Sequence, residues 1–304
     1  MKNVLVIGGS VFTGRVFSIK ASRSNEFDLH VVNRGNHPME LERVAQYKCD
    51  RHDPGMIAKL VPDVPYDALV DFCAYNPGEI EPVISALGGR IKQYVYFSTA
   101  SVYVPADGFL DERAPMLNAS VESTGFVDDY IKKKIDLERE LADACSGAGI
   151  KYTILRPTFI YGPFNYAPRE SFFIELIAKK QAVPVPVDST ARFNFVYVID
   201  IADILMKCIG NEKAYDEIFN LAGVEAVTYR QLMAEFERCN GGPFETREVT
   251  VAQVDEEMIP LPFPLIGDTL VDGGKFAQIF GFDYTPFSVG MEKTFGIFHT
   301  IFTT

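Results

Sequence analysis

The sequence lacks any apolar run near the roughly 18 residues that a membrane-spanning helix needs, so we expect no membrane span. The first strand pattern starts at residue 3, so we expect no signal or transit peptide before it. Cysteines are few, show no paired spacing, and stand at Cys49, Cys73, Cys145, Cys208 and Cys239. We therefore expect reduced thiols in a cytoplasmic protein. Cys49 and His52 are close in sequence, but nothing nearby completes a four-ligand set, so no metal site is expected.

Positive charge is also scarce. The chain has 29 Lys and Arg against 41 Asp and Glu, for a formal net charge of −12. General nucleic-acid binding needs a cationic footprint, and the one basic cluster, residues 132–134, is typical of an exposed helix face. Nucleic acid is therefore an unlikely partner, and a small-molecule substrate is expected. With 47% hydrophobic and 23% charged residues, the composition is that of a soluble globular protein.

Short apolar runs alternate with helix-like stretches over the first 160 residues. The predicted strands are residues 4–8, 29–33, 68–72, 94–98 and 152–156. Such alternation is typical of right-handed βαβ units, in which helices cover both faces of a parallel sheet. We predict an α/β fold with a Rossmann-like doubly wound parallel sheet, whose ligands bind at the carboxyl edge of the strands.

The pattern becomes irregular after residue 157, where several prolines interrupt it. Further predictions are a strand at 193–198, a helix at 201–209, a strand at 217–222 and a helix at 274–280. We predict a cofactor-binding domain over residues 1–162, with parts of 193–222 returning to it. Residues 163–304 would form a smaller mixed α/β lobe that closes a substrate cleft.

A glycine-rich turn follows the first strand. In MKNVLVIGGSVFTGR, four apolar residues lead into Gly8 and Gly9, Ser10 comes next, and Gly14 follows within the predicted helix. Glycines allow a tight turn with close backbone approach, and a helix N-terminus offers amide donors to a pyrophosphate. The pattern favours a dinucleotide site, although an ordinary strand-to-helix turn uses the same glycines.

The second strand ends with Asn33 and Arg34, where a cofactor with a free ribose 2′-hydroxyl normally meets an acidic residue. Because a guanidinium can pair with a 2′-phosphate, Arg34 favours NADP slightly over NAD. Asp50 is a candidate acceptor for an adenine amine. Loop arginines and solvated loop carboxylates are the alternatives for both positions.

A tyrosine and a lysine stand four residues apart in DDYIKKKIDLERE. Tyr130 and Lys134 share one face of a predicted helix. A neighbouring ammonium favours the phenolate, so we expect a lowered phenol pKa and acid/base chemistry near neutral pH. The fourth strand ends in Ser98, Thr99 and Ser101, whose hydroxyls can hydrogen-bond a substrate oxygen at the carboxyl edge of the sheet.

The order of these motifs, followed by LRP, YGP and FVYVID, resembles the extended short-chain dehydrogenase/reductase family of the NAD-dependent epimerase/dehydratase type. The resemblance runs from residue 3 to about residue 225. It implies that Tyr130 is the catalytic acid/base, that Lys134 holds the cofactor, and that Thr99 is the catalytic hydroxyl. It also implies that Arg156 and Pro157 shape the nicotinamide pocket.

The resemblance extends to the glycine turn, where Gly8, Ser10 and Gly14 match the pyrophosphate-binding positions and Phe12 matches a frequent aromatic. The predicted cofactor-binding residues are Gly8, Gly9, Ser10, Phe12, Gly14, Asn33, Arg34, Asp50, Ala74, Ser98, Tyr130, Lys134 and Pro157. The cofactor expected is NAD or NADP.

Val11 departs from the family pattern, because the middle glycine of the turn usually stands there. The resulting G-G-x-x-F-x-G resembles a branch that includes chloroplast stem-loop RNA-binding proteins, so a non-catalytic nucleotide-sensing or RNA-binding protein is the alternative function. A second departure is Ala100-Ser101 after Thr99, where nucleotide-sugar dehydratases carry Asp-Glu. Without those carboxylates, 4,6-dehydration lacks its acid and base.

The resemblance leaves the substrate open among hydroxyl- and carbonyl-bearing compounds, with a sugar or sugar nucleotide favoured. Its predicted contacts are Thr99, Ser101, Arg169 and Arg192. Arg192 stands one residue away from the position where related enzymes carry a diphosphate-binding arginine, and a one-residue shift on a strand reverses the face. The expected reaction is hydride transfer in net reduction or epimerisation. A homodimer through the helix of Tyr130 and residues 79–88 is also implied.

Overall fold

A computed structural model describes residues 1–117 and 126–304, and the side chains of 126–128 are excluded from the description. In these ranges seven parallel strands form the large sheet. In spatial order they are β3 (Val44–Lys48), β2 (Phe27–Asn33), β1 (Lys2–Ile7), β4 (Ala68–Asp71), β5 (Gln93–Phe97), β7 (Lys151–Pro157) and β12 (Glu217–Leu221). The order of the strand connections reverses between β1 and β4, which is the switch point where such folds bind ligands. The predicted Rossmann-like α/β fold is confirmed.

Helices cover both faces of this sheet. They are α1 (Phe12–Ser22), α2 (Pro54–Leu60), α3 (Glu81–Leu87), α4 (Phe126–Ala148), α6 (Val198–Cys208) and α9 (Gly274–Phe280). Alternate residues of β1 belong to different hydrophobic cores. Val4 and Val6 pack in the core beneath α1 and α6, whereas Leu5 and Ile7 pack in the core beneath α2, α3 and α4. Both sets are fully buried, as expected for a strand with helices on both sides.

The second lobe contains α5 (Glu170–Ala178), α7 (Tyr229–Asn240), α8 (Val251–Glu256) and α10 (Phe287–Thr303). Its strands form short pairs and a three-stranded sheet, and they are β6 (Phe109–Leu110), β8 (Phe159–Tyr161), β9 (Val183–Pro186), β10 (Arg192–Phe193), β11 (Phe195–Tyr197), β13 (Thr246–Val249) and β14 (Asp268–Val271). Aromatic rings dominate its core, where Phe193, Phe195 and Phe263 pack with centroids 5.0–5.5 Å apart. This core is separate from those of the large sheet.

Two sequence predictions need correction here. The strand predicted at 193–198 is divided into β10 and β11, and α6 begins already at Val198. Edge strand β3 was not predicted, because its residues are mostly half-buried and alternate in polarity instead of forming an apolar run. By contrast, the helix predicted at 274–280 matches α9. Gly281 caps its carboxyl end with a φ of +56°. Within the described ranges, no helix is long and apolar enough to cross a membrane.

Candidate active site

The glycine turn joins β1 to α1 and has no space for larger side chains. Gly8 and Gly9 have φ angles of +90° and +69°, a region that favours glycine. A Cβ on Gly14 would press into the backbone of Gly9, 3.0 Å from its carbonyl carbon. In the described chain, no side chain caps the α1 N-terminus and no acidic residue lies in its first turn. This helix end is therefore suited to an anionic group such as a pyrophosphate.

Ser10 and Phe12 lie on this turn, as predicted. Ser10 is half-buried, and its carbonyl oxygen accepts a 3.4 Å hydrogen bond from Arg15. Phe12 adopts a φ of +41°, which is unusual for a residue with a side chain, and its ring meets the edge of the Tyr166 ring at 6.3 Å. The turn is thus in contact with an aromatic residue of the second lobe.

The end of β2 is occupied by structural hydrogen bonds. Asn33 Nδ2 donates to the Gly8 carbonyl at 3.4 Å, and its Oδ1 accepts the Gly35 amide and Gln46 Nε2, each at 2.8 Å. Asn33 therefore fixes the shape of the edge next to the glycine turn. Arg34 is exposed and forms no salt bridge with any described residue.

Asp50 follows β3 at the same edge. Its Oδ1 accepts the His52 amide at 2.9 Å and lies 2.7 Å from His52 Nδ1, whose other ring nitrogen is 3.0 Å from Glu79 Oε1. The hydrogen bonds from His52 lower the pKa of Asp50, and those to Glu79 and Asp50 raise the pKa of His52. Asp50 is thus an ionised acceptor at the rim, partly engaged by its own loop.

The end of β5 brings three hydroxyls to the carboxyl edge. Ser98 is buried, and its Oγ has no hydrogen-bond partner among the described residues. Thr99 begins a 3₁₀ turn over Ala100–Val102, and its Oγ1 accepts the Ser101 amide and donates to Ser101 Oγ, both at 3.2 Å. A buried hydroxyl without a partner is costly, so Ser98 points to a ligand group at this edge.

Lys134 is the most constrained of the predicted site residues. It is 3% exposed, and its Nζ donates to the carbonyl oxygens of Phe97 at 2.8 Å and Ala74 at 3.1 Å. The rings of Tyr96, Tyr75 and Tyr130 lie 4.8, 5.1 and 5.8 Å from the ammonium. The ends of β4 and β5 therefore fix this cation one helical turn from Tyr130.

The pKa directions correct one expectation. Burial raises the pKa of Tyr130, Arg169 opposes that effect, and Tyr166 adds to it. Burial also lowers the pKa of Lys134, to about 8. The basic side chain that opposes the rise in the pKa of Tyr130 is Arg169.

Arg156 is a structural residue and does not line the site. It is 2% exposed, and its guanidinium donates to Glu138 at 3.0 and 2.5 Å and to Tyr103 Oη at 2.8 Å. Its strand neighbour Pro157 ends β7, buried, where it pairs with Leu221. The dipeptide thus influences the pocket through α4 and the 3₁₀ turn.

The two predicted substrate arginines lie in different surroundings. Arg192 is half exposed and bound to Asp268 through both carboxylate oxygens, one at 2.8 Å, on the three-stranded sheet. We therefore withdraw it as a substrate contact, since its charge is already paired. Arg169 precedes α5, lies 5.8 Å from the Phe159 ring, and forms no salt bridge with any described residue.

Two aromatic residues of the site were not predicted. Tyr75, which follows Ala74, lies against Lys134, and Tyr166, which is 73% exposed, contacts Phe12. Both stand in loops, where no periodic pattern of apolar residues shows which side chains face a site. The structure thus groups Tyr130, Lys134, Ala74, Ser98 and the Thr99 turn at the ends of β4 and β5, where α4 packs against the 3₁₀ turn.

Comparison with protein families identifies the fold's relatives. Residues 4–222 match the NAD dependent epimerase/dehydratase family. The chain belongs to this family. The glycine turn, the uncapped α1 N-terminus and the unpartnered Ser98 hydroxyl fit an NAD-type cofactor.

Two curated relatives match at lower identity. The chloroplast stem-loop binding protein of 41 kDa b from Arabidopsis thaliana is 28% identical over 256 residues, which are 80% of this chain and 64% of that protein. UDP-glucose 4-epimerase from Vibrio cholerae is 24% identical over 168 residues, 52% of this chain and 46% of that enzyme. The chain thus spans less than two thirds of either relative.

Solved structures share the fold along nearly the whole chain. UDP-glucose 4-epimerase from Thermotoga maritima with UDP-glucose has a TM-score of 0.79 at 19% identity, covering 98% of this chain and 99% of that one. UDP-glucuronic acid 4-epimerase from Bacillus cereus with NAD has a TM-score of 0.78 at 15% identity, covering 99% of each chain. A putative epimerase from Burkholderia cenocepacia has a TM-score of 0.80 at 17% identity, covering 98% of each chain. At these identities the likeness establishes the fold alone.

Proposed function

We propose that the protein catalyses NAD-dependent hydride transfer at a hydroxyl- or carbonyl-bearing carbon of a sugar or sugar nucleotide, as an epimerase or an oxidoreductase. The observation that carries this proposal is the position of Lys134, which two strand-end carbonyls hold one helical turn from Tyr130. The glycine turn lies at the same edge of the sheet. Family membership and the NAD bound to solved relatives support an NAD-type cofactor.

Each site residue has a defined role in this proposal. The nicotinamide supplies the hydride acceptor and donor when it is bound. Tyr130 moves the proton on the substrate oxygen, and the Thr99 hydroxyl orients that oxygen. Lys134 holds the ribose hydroxyls. The Ser98 hydroxyl, which has no partner among the described residues, would hydrogen-bond the cofactor.

The reaction type follows from what stands next to Thr99. Ala100 and Ser101 supply no carboxylate, so elimination of water at C5–C6 of a hexose has no acid and base at these positions. A dTDP-glucose 4,6-dehydratase from Bacillus anthracis shares the fold with a TM-score of 0.78, so the fold alone does not separate the two reactions. Epimerisation or net reduction therefore remains the favoured chemistry.

Substrate contacts are proposed for Thr99, Ser101 and Arg169. The charge of Arg169, which precedes α5, favours the ionised form of the Tyr130 phenol. The curated and structural relatives named for UDP-sugars support a sugar nucleotide as substrate. A preference for NADP through Arg34 is a separate, finer proposal that binding measurements decide.

The test is turnover with bound cofactor. We expect native mass spectrometry of freshly purified protein to detect an NAD-type dinucleotide, and a panel of UDP- and dTDP-sugars to give NADH formation or epimerised product. Tyr130→Phe should reduce turnover by at least a hundredfold while NADH affinity stays within about threefold. Unchanged turnover in Tyr130→Phe would remove the phenol from its role.

RNA binding is the second candidate, because the curated relative with the higher identity is named for stem-loop binding. The net charge of −12 opposes it, since RNA binding draws on basic residues that neutralise phosphates. We expect fluorescence anisotropy to show no saturable binding of a stem-loop RNA at about 150 mM salt, a concentration near physiological ionic strength. Tight, salt-sensitive binding would favour this candidate.

The homodimer through α4 and residues 79–88 stays a proposal. Ile135, Leu137 and Leu141 of α4 are fully buried within the chain's own cores. Ile131 is half-buried and packs against one of these cores. Light scattering at micromolar concentration measures the mass.

A further inference from the structure

The segment from Gly162 to Arg169, here called the site loop, connects β8 to α5 and reaches across to the glycine turn. Its Tyr166 ring meets the Phe12 ring edge-on at 6.3 Å, and Arg15 of α1 lies 5.5 Å from its Phe164 ring. At its other end, the charge of Arg169 acts on Tyr130. The site loop therefore contacts the glycine turn and the first turn of α1, and its last residue carries a charge that acts on Tyr130.

A buried carboxylate holds this loop from inside. Glu170 is 0% exposed, and its Oε1 accepts the Gly162 amide at 3.0 Å and Asn165 Nδ2 at 3.1 Å, while its Oε2 accepts Asn165 Nδ2 at 3.0 Å. Asn165 Oδ1 in turn accepts the Ala167 amide at 3.0 Å, which fixes the orientation of the amide group. Every partner of Glu170 in this cluster is an N–H donor, so the cluster needs a carboxylate rather than an amide.

The loop conformation gives this anchor a task. Gly162 has a φ of +126°, and a Cβ there would lie 2.7 Å from Val198 Cγ1, while Phe164 has a φ of +65°. L-residues rarely adopt such angles unless surrounding contacts impose them. Among the described residues no basic side chain forms a salt bridge with Glu170, so the hydrogen bonds and the charge of nearby Arg169 offset the cost of burying its carboxylate.

We propose that Glu170 is a positioning residue, which together with Asn165 fixes the site loop so that Tyr166 covers the glycine turn. This inference rests on the proposed function in one respect, namely that a nicotinamide dinucleotide binds at the glycine turn. The role is indirect, because the carboxylate is enclosed by its own loop and acts through the residues that it orients.

The hydrogen-bond pattern allows a test by exchange of the two groups. In Glu170→Gln, one side-chain oxygen is replaced by an NH₂ group that faces the Asn165 NH₂ group, so donors oppose each other. In Asn165→Asp, two carboxylates face each other in a buried site. In the double variant, the new amide at position 170 can accept the Gly162 amide through its oxygen and donate through its NH₂ group to the new carboxylate at position 165. That carboxylate can still accept the Ala167 amide, so the buried charge is kept, and the Gly162 amide, the Ala167 amide and the contact between the two side chains each have a matched donor and acceptor.

The first measurement is hydrogen exchange of the loop amides in the full-length protein. We expect Glu170→Gln and Asn165→Asp to accelerate exchange at Gly162 and Ala167 at least tenfold, and the double variant to return it to within threefold of the unmutated protein. The matched control is Asp200→Asn, because Asp200 is another buried carboxylate that accepts a backbone amide and a hydroxyl, both from Thr285. That variant should leave exchange at Gly162 and Ala167 unchanged.

The second measurement is NADH affinity by calorimetry, which a purely structural role of Glu170 would not change beyond the control. We expect the Kd for NADH to rise at least fivefold in Glu170→Gln, to recover in the double variant, and to stay constant in Asp200→Asn. Unchanged exchange in both single variants would overturn the inference, and so would loosened exchange with an unaltered Kd. Failure of the unmutated protein to bind NADH or NADPH is a different result, which would end the proposed function and the cofactor role of the loop together.

Discussion

The guanidinium of Arg156 and the carboxylate of Glu138 form a buried two-point salt bridge between β7 and α4, one helical turn beyond Lys134. The same guanidinium donates to Tyr103, which follows the 3₁₀ turn of Thr99 and donates its own hydrogen to Asn220 at 2.7 Å. One side chain thus joins α4, which carries Tyr130 and Lys134, to the 3₁₀ turn that follows Thr99.

Removing one partner of this pair should destabilise the protein strongly. Arg156→Met leaves the Glu138 carboxylate buried without a cation, and we expect the free energy of unfolding to fall by about 3–5 kcal/mol. Glu138→Leu should have a similar cost. The double variant should lose much less than the sum, because it leaves no isolated charge. Urea unfolding of the four proteins measures the coupling, and additive losses would contradict it.

The buried ammonium of Lys134 predicts a pH dependence of stability. Burial lowers its pKa to about 8 in the folded chain, against 10.5 for the ordinary side chain. Between these values the unfolded chain binds more protons, so this group makes folding more favourable as pH rises from 8 to 10.5, by up to about 3 kcal/mol. Lys134→Met lacks this titrating group. We therefore expect the free energy of unfolding of Lys134→Met, minus that of the unmutated protein, to fall as the pH rises from 8 to 10.5.

The measurement is urea unfolding of both proteins at about pH 7.5 and about pH 9.5, since subtracting the two profiles removes other titrating groups. The matched control is Lys133→Met, because Lys133 stands next to it on α4 in a surface pair with Asp129. If the difference in free energy of unfolding between Lys134→Met and the unmutated protein is the same at both pH values, the Lys134 ammonium titrates outside the range from 8 to 10.5.

Gly14→Ala should open the glycine turn. The new Cβ would press on the Gly9 backbone, so α1 must move away from β1, at a cost of roughly 1–3 kcal/mol and with at least a tenfold weaker affinity for NADH. Gly147→Ala is the control, because no atom of the described residues lies within 4 Å of a Cβ at that position of α4. Alanine is the better helix former, so the control should gain up to about 1 kcal/mol. Thermal unfolding and calorimetry measure both variants, and wild-type NADH affinity in Gly14→Ala would separate the turn from cofactor binding.

Arg34 is the residue that we expect to set any preference between NADPH and NADH. It is exposed at the end of β2, where a guanidinium can reach a 2′-phosphate. If it does so, NADPH binds more tightly than NADH, and Arg34→Ala lowers NADPH affinity about tenfold while NADH affinity is unchanged. Arg23→Ala, an exposed arginine at the end of α1, is the control. Equal affinities in the unmutated protein would leave Arg34 without a role in cofactor choice.

Local patterns in the sequence predicted much of the sheet and part of the site. The apolar runs of β1, β2, β4, β5 and β7 and the position of Lys134 were visible because each depends on neighbours in sequence. The pairing of Arg192 with Asp268 was not predicted, since its partner stands 76 residues away. The pKa of Tyr130 was misjudged for a related reason, because burial and Arg169 depend on how the second lobe folds over α4. The Glu170 cluster was missed because a loop carboxylate has no periodicity that indicates burial.

The two-faced burial of β1 has a consequence for how its pairing is specified. Where a sheet has one wet face, a slip of one residue is prohibited because it exposes apolar side chains. In β1 both faces are buried, including the side chains of Val4, Leu5, Val6 and Ile7. A strand shifted by one residue would therefore place one apolar side chain where another had been. The register of β1 must then be determined at the ends of the strand. The close approach of Gly14 to Gly9 is the constraint at its carboxyl end. A deletion or insertion within these six residues would therefore displace the glycine turn first.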